Sequence, residues 1–376
     1  MTDTFIIADN IISPLGYTSA ENFERLQQGQ SGIREHNDPM SPQPFYAALL
    51  DKDKPLLPAG NANGYTKFEQ LLIASVEDAL QRSGLDASDK ETVLIVSSTK
   101  GNISLLETEA GQEGLAERIA LSTSAKKLAA HFNFVNTPVI VSNACISGLL
   151  AIITGARLIR SGQYKHAVVT GADVISKFVL SGFQSFQAVS NEVCKPFDAQ
   201  RKGINLGEAA GTVVLSVQKK NNDDIKFAAG SVSNDANHIS GPSRTGEELN
   251  FAIGNAMKAA GVTRDDISYI SAHGTATLYN DEMESKAITL AGLQQVPVNS
   301  LKACYGHTLG AAGLIESIIT IHSMKSSLIL PSPGFTEPGV SQPLNICTKL
   351  QPAVLNHCLK TASGFGGCNA AIVFSK

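Results

Sequence analysis

Val139-Ile-Val-Ser-Asn-Ala-Cys145-Ile-Ser-Gly148-Leu-Leu-Ala-Ile-Ile153 holds a strand, a turn and a helix start in one short run. The β-branched residues 139–141 read as a buried strand, and the small residues that follow can turn tightly. From Gly148 the apolar residues continue at helical length, and the helix is expected over 148–161. A strand that turns straight into a helix is the repeating unit of α/β proteins. Cys145 then stands at a helix N-terminus, where free N–H groups and the positive dipole end favour a thiolate. An amide in such a turn can also hold the oxyanion of an attacked thioester. A buried structural cysteine fits the same local pattern.

Outward from this run the same alternation recurs. Strands are expected at 93–97, 167–170, 211–216 and 269–271, and helices at 68–83, 124–132, 246–260, 281–290 and 311–326, which together indicate an α/β architecture. The chain has 376 residues, more than one hydrophobic core usually serves. The polar segment 219–224 is the best linker, giving halves at 1–220 and 221–376. Gly148-Leu-Leu-Ala-Ile-Ile and Gly313-Leu-Ile-Glu-Ser-Ile echo each other faintly, which suits either a duplicated fold or two ordinary helices.

Composition removes several classes of function. A net charge of −4 without a long basic run argues against a nucleic-acid partner. No apolar stretch is long enough to span a membrane. The start, MTDTFIIADNIISPLG, lacks the basic onset of a signal peptide and reads as a first strand of a cytoplasmic protein. The six cysteines include no Cys-x-x-Cys pair, so no zinc or redox motif is expected and free thiols are the default. Only 17% of residues are charged, which suits a large buried subunit interface.

Three further clusters carry chemistry. Ser271-Ala-His273-Gly-Thr275-Ala-Thr277 follows a strand, with Asp281 and Glu284 opening a helix. A histidine just past a strand end is where open α/β sheets place functional groups. A plain turn histidine beside an N-capping Asp281 is the other reading. Lys302-Ala-Cys-Tyr-Gly-His307 precedes the small residues Gly310-Ala-Ala-Gly313, which allow a helix start to pack closely on another backbone. Ser363-Gly-Phe365-Gly-Gly-Cys-Asn369 leads into a strand, so it reads as a loop of backbone donors with one aromatic lid, or as a simple hairpin turn.

Taken in order, these clusters resemble the β-ketoacyl synthases of fatty-acid and polyketide synthesis, of the elongating type. Ala-Cys145-x-Ser-Gly, His273-Gly-Thr-x-Thr, Lys302-x-x-x-Gly-His307 with Gly-Ala-Ala-Gly313, and Gly-Phe365-Gly-Gly match that family's motifs. So do Lys195-Pro-Phe-Asp198 through Gly203 and Asn234-Asp235-Ala-Asn-His238-Ile-Ser240. The resemblance implies a thiolase-like fold of five layers, α-β-α-β-α, in two pseudo-symmetric halves. It implies Cys145 as nucleophile, His273 and His307 as hydrogen-bond donors to a malonyl-derived enolate, Lys302 tuning their electrostatics, and Glu284 fixing the loop. An oxyanion hole is expected from the Cys145 and Phe365 amides. Thr275, Thr277, Phe183, Ile204, His238, Ser240 and Phe365 are expected to contact substrate, and Asp235 and Asp281 to support the site.

No permanently bound cofactor is implied. The phosphopantetheine arm arrives on an acyl carrier protein, and the chain is expected to be a homodimer or a heterodimer with a ketosynthase-like subunit. The strand near 167–170 is the candidate to extend the sheet across the two-fold axis. Ile204 stands where the family often has an aromatic, and Gln187 where an Arg often meets the carrier. Lys67, Lys126 and Lys127 are the remaining docking candidates. A chain-length-factor-like partner would lack the nucleophile, and a thiolase would carry a different motif around Cys368.

Overall fold

The computed structural model describes residues 2–57, 62, 64–236 and 241–376. Five strands of the first half are β1 (Phe5–Ile12), β2 (Thr92–Ser97), β3 (Val139–Val141), β4 (His166–Asp173) and β5 (Ala209–Ser216). Five of the second are β6 (Ile225–Asn234), β7 (Ile267–Ser271), β8 (Val298–Asn299), β9 (His357–Gly364) and β10 (Cys368–Ser375). They lie in the order β1-β5-β4-β2-β3 and β6-β10-β9-β7-β8, the same order twice. Strand directions repeat as well. The pairs β1–β5 and β5–β4 are antiparallel, as are β6–β10 and β10–β9. The pairs β4–β2, β2–β3, β9–β7 and β7–β8 are parallel. The two sheets join along their edges where Phe5 and Ile6 meet Lys226 and Ile225.

Helices fill three layers around these sheets. On the outer face of the first sheet lie α1 (Lys67–Ser83) and α2 (Leu121–His131). Helix α1 starts at a Thr66–Glu69 capping box and stops at Gly84, which takes the left-handed conformation. Its Phe68, Leu71, Leu72 and Val76 recur at helical spacing and pack with Leu94, Val96 and Val214. The outer face of the second sheet carries α5 (Glu247–Ala260) and α6 (Leu278–Leu290), whose Leu249, Ile253 and Ile288 pack with Ile270 and Val373.

Between the sheets run α3 (Ser147–Arg160) and α7 (Ala312–Ser326). Both are apolar nearly all round, as a helix enclosed on every side requires. Their core joins Ile95, Val169 and Leu215 of the first sheet to Tyr269, Ile372 and Phe374 of the second. The α-β-α-β-α layering expected from the family motifs is therefore present. The expected helices are found within a few residues at their ends.

One sequence expectation fails. Residues 167–170 lie inside β4, which is hydrogen-bonded to β2 on one side and β5 on the other. Both edges are taken, so that strand cannot extend the sheet into a second chain. The free edge of the first sheet is β3, where Ile140 is 39% exposed. Among the described residues no helix is long and apolar enough to cross a membrane.

Candidate active site

Cys145 sits between β3 and α3, as the sequence suggests. Ala144 bends the chain with a φ of +44°, a conformation that L-residues adopt at a cost and that recurs at functional turns. Ser147 stabilises the bend: its Oγ accepts the Asn143 N–H at 2.8 Å and donates to the Ala144 carbonyl at 2.6 Å. The 364–367 turn approaches from the β9–β10 hairpin. A Cβ on Gly364 would lie 2.9 Å from Cys145 N, so only glycine allows this approach. The Phe365 N–H donates to the Cys145 sulfur, the direction needed for an oxyanion hole. The hairpin reading and the donor-loop reading of this segment both hold.

Cys145 Sγ and one ring nitrogen each of His273 and His307 lie within 4.8 Å of one another. The two rings meet edge to face, centroids 5.2 Å apart. A thiol and two imidazoles could also ligate zinc, although they offer only three donors. Burial pushes the Cys145 thiol up to about 12, and neighbouring Cys368 adds to the rise. Lys302 and the Phe365 amide oppose it, as does the dipole of α3.

Burial holds both histidines well below the ordinary imidazole value, reinforced by Lys302 and Lys360. Both are therefore neutral at physiological pH. The Leu309 N–H donates to His307 Nδ1 at 3.1 Å, so His307 carries its proton on Nε2. His273 Nδ1 has no partner among the described residues, which leaves its tautomer open to substrate.

The turn bearing His273 is clamped from behind. Glu284 accepts the N–H groups of His273 at 2.8 Å and Gly274 at 2.7 Å, and the Thr361 hydroxyl at 2.7 Å. Lys302 donates to the His273 carbonyl at 3.1 Å and pairs with Glu316. Neither Lys302 nor Glu284 lines the cavity, so both are positioning residues. Helix α6 begins at Leu278, ahead of the expected start, and Asp281 therefore lies within its first turn. Its carboxylate reaches back to the Ala276 N–H at 3.1 Å and across to the Phe197 N–H at 2.7 Å. Burial pushes Asp281 up to about 7, against the pull of the Phe197 amide.

A cavity of about 380 Å³ opens onto the three reactive groups. Thr275, Thr277, Phe183, Ile204 and Phe365, expected to contact substrate, line it, and so does Asp235, expected to support the site. The Thr275 and Thr277 hydroxyls are 2.9 Å apart. The Phe365 ring stacks on Phe183 at 5.9 Å and meets the edge of Phe186 at 5.7 Å at the cavity wall. His238 and Ser240 lie outside the described residues. Of the docking candidates, Lys67 pairs with Glu208 at 2.6 Å and Lys127 with Glu69 at 3.3 Å, so both are engaged by carboxylates. Gln187 takes a φ of +54° after helix α4 (Lys177–Ser185), which carries Phe183.

Sequence reasoning missed Glu316, Lys360 and Phe186. Glu316 and Lys360 are single charges inside otherwise apolar runs, and a buried charge needs an opposite partner. That rule, applied to α7 and β9 together, would have paired them.

Residues 1–221 match the family model described as "Beta-ketoacyl synthase, N-terminal domain", and residues 226–336 match "Beta-ketoacyl synthase, C-terminal domain". The chain is 30% identical to a 3-oxoacyl-[acyl-carrier-protein] synthase 2 of Vibrio cholerae, with 97% of each chain covered. Among solved structures it resembles a ketosynthase–chain length factor complex from Xenorhabdus doucetiae, at TM-score 0.90 and 26% identity, covering 100% of this chain and 98% of the other. A second likeness is the ishigamide ketosynthase/chain length factor, at TM-score 0.88 and 25% identity, covering 100% and 99%. With both halves matched and Cys145, His273 and His307 converging on one cavity, the chain belongs to the β-ketoacyl synthase family.

Proposed function

We propose that the chain is an elongating ketosynthase, condensing a carrier-bound malonyl thioester with an acyl group held on Cys145. The observation that carries this reading is the meeting of one thiol and two neutral imidazoles, within 4.8 Å, in a mostly apolar cavity. In the first step Cys145 sulfur attacks the acyl thioester carbonyl, and the carrier thiol leaves with the proton. The Cys145 and Phe365 amides hold the oxyanion. The C–CO₂⁻ bond of the malonyl group then breaks, carbon dioxide departs, and the electron pair moves into an enolate. His273 and His307 donate hydrogen bonds to the enolate oxygen. The carbanion attacks the acyl-Cys145 carbonyl, forming the C–C bond and expelling the thiolate, which takes a proton. Thr275 and Thr277 hold the pantetheine arm, and Phe183, Phe186 and Ile204 receive the acyl chain.

In this reading the first half, 1–220, supplies the nucleophile and the second, 221–376, the histidines. The acyl carrier protein brings both substrates, and the enzyme works in the cytoplasm as a dimer. The likeness to ketosynthase–chain length factor assemblies supports a second ketosynthase-like chain as partner. A role as the non-elongating member of such a pair is disfavoured, because Cys145, His273, Lys302 and His307 are all in place.

Intact-mass detection of an acyl group on Cys145, followed by its loss on adding malonyl carrier protein, tests the reading. His273→Ala and His307→Ala should still acylate while losing at least about 10²-fold in condensation. Wild-type condensation rates in both variants would overturn the histidine roles.

A further inference from the structure

The main chain entering His273 is held by two buried ammonium groups. Lys360 Nζ donates to the Ser271 carbonyl at 3.1 Å and the Ala272 carbonyl at 3.3 Å, while Lys302 Nζ takes the His273 carbonyl at 3.1 Å. Lys360 also donates to its neighbour Thr361 O at 2.6 Å and pairs with Glu316 at 2.8 Å. Glu316 is thus shared by two lysines, each with its side chain at 0% exposure. Glu284, also buried, is a second carboxylate acting on Lys360, so two lysines face two glutamates here. Each buried ion is costly to desolvate, and Lys360 directs its donors at the carbonyls that lead into His273. Neither lysine lines the cavity, and charges inside the protein are weakly screened by salt.

We propose that Lys360 is a positioning residue for decarboxylation, fixing the His273 main chain with Lys302 and adding a second positive charge behind the enolate. The proposal deepens the condensation reading and rests on it. Developing negative charge on the thioester oxygen is stabilised through the protein by both ammonium groups. Burial holds His273 and His307 neutral, and the same charges add to the opposition to protonation. Other titratable groups around the pair are Cys145 and Cys368 at the nucleophile, Asp173 ending β4, Asp235 at the cavity wall, Glu284 on α6 and Glu316 on α7. Acyl transfer to Cys145 builds its charge at the Cys145 and Phe365 amides, so it depends less on Lys360.

The test compares wild type, Lys360→Met and Lys360→Arg by malonyl carrier protein decarboxylation across pH and by intact-mass acylation of Cys145. Lys360→Met should lose on the order of tenfold in kcat, with KM little changed and acylation within about twofold. Its acid limb should move to higher pH, because the imidazoles protonate more readily without the charge. Lys360→Arg should restore most of the rate. Where Lys360→Met fails to fold, Lys360→Gln, which can still bind a carbonyl without charge, is read in the same way. An unchanged kcat and acid limb in the folded uncharged variant overturns the proposal, as does an Arg variant no better than the uncharged one. A wild-type chain that neither acylates nor condenses overturns the parent reading as well, so the two failures are distinct.

Discussion

Gly148 and Gly313 hold equivalent places in the two halves, and each is pressed against the residue that follows the other. A Cβ on Gly148 would lie 2.8 Å from Leu314 N, and one on Gly313 would lie 3.0 Å from Leu149 N. The helices α3 and α7 therefore cross at their N-termini with no room for a methyl group. Cys145 and His307, just ahead of these helix starts, are brought together by that crossing.

Alanine at either glycine should destabilise the chain by about 1–3 kcal/mol through overpacking, with Gly148→Ala the more severe. A Cβ on Gly148 would also lie 2.9 Å from the Gly310 carbonyl oxygen, so it meets backbone on two sides and more closely than one on Gly313. Urea unfolding midpoints measure the effect. A Gly148→Ala chain with a wild-type midpoint and full activity would show that the crossing has slack.

Cys145→Ala should abolish condensation, because Cys194, Cys304, Cys347, Cys358 and Cys368 are all buried. Cys145→Gln should raise malonyl decarboxylation, since its amide mimics the acylated thiol. Product analysis by mass spectrometry separates the two outcomes. Condensation by the Ala variant would mean that another group carries the acyl chain.

Acid should destabilise the protein below the ordinary histidine value. His273 and His307 stay neutral when folded but take protons when unfolded, so the unfolded state binds more protons there. Stability then falls as pH drops below about 6.5, by up to about 1.4 kcal/mol per pH unit for each histidine. Replacing both with Asn should flatten this slope in urea titrations. An unchanged slope would place the acid sensitivity elsewhere.

The solution assembly should be dimeric through the β3 edge. Ile140→Lys puts a charge on that edge, and should shift light scattering toward a monomer with condensation reduced. A fully active monomer would contradict this arrangement.

The reading from sequence succeeded where function and backbone geometry share one local pattern. Cys145 and His273 each follow a strand end, His307 precedes a helix start, and the small residues Gly148 and Gly310–Gly313 announce tight packing. It failed where the deciding information is long-range. Residues 167–170 look like any short β-branched strand, and only the order of the sheet shows that both their edges are occupied. Lys360 and Glu316 lie far apart in the chain, so their meeting was invisible until β9 and α7 were packed together. The early start of α6 was hidden because Leu278-Tyr-Asn carries no strong cap, and Thr277 makes no side-chain capping bond.

The first strand has its own consequence for how the chain is made. β1 pairs with residues 210–216 and with 225–226, and among the described residues with no other strand. At ribosomal rates of roughly 5–20 residues per second, it waits on the order of 10–40 s for its partners to be synthesised. During that delay Ile6, Ile11 and Ile12, all buried in the finished fold, have no sheet to join. Nascent chains stalled before residue 209 should therefore be chaperone clients, released only once the last strand of the first half emerges.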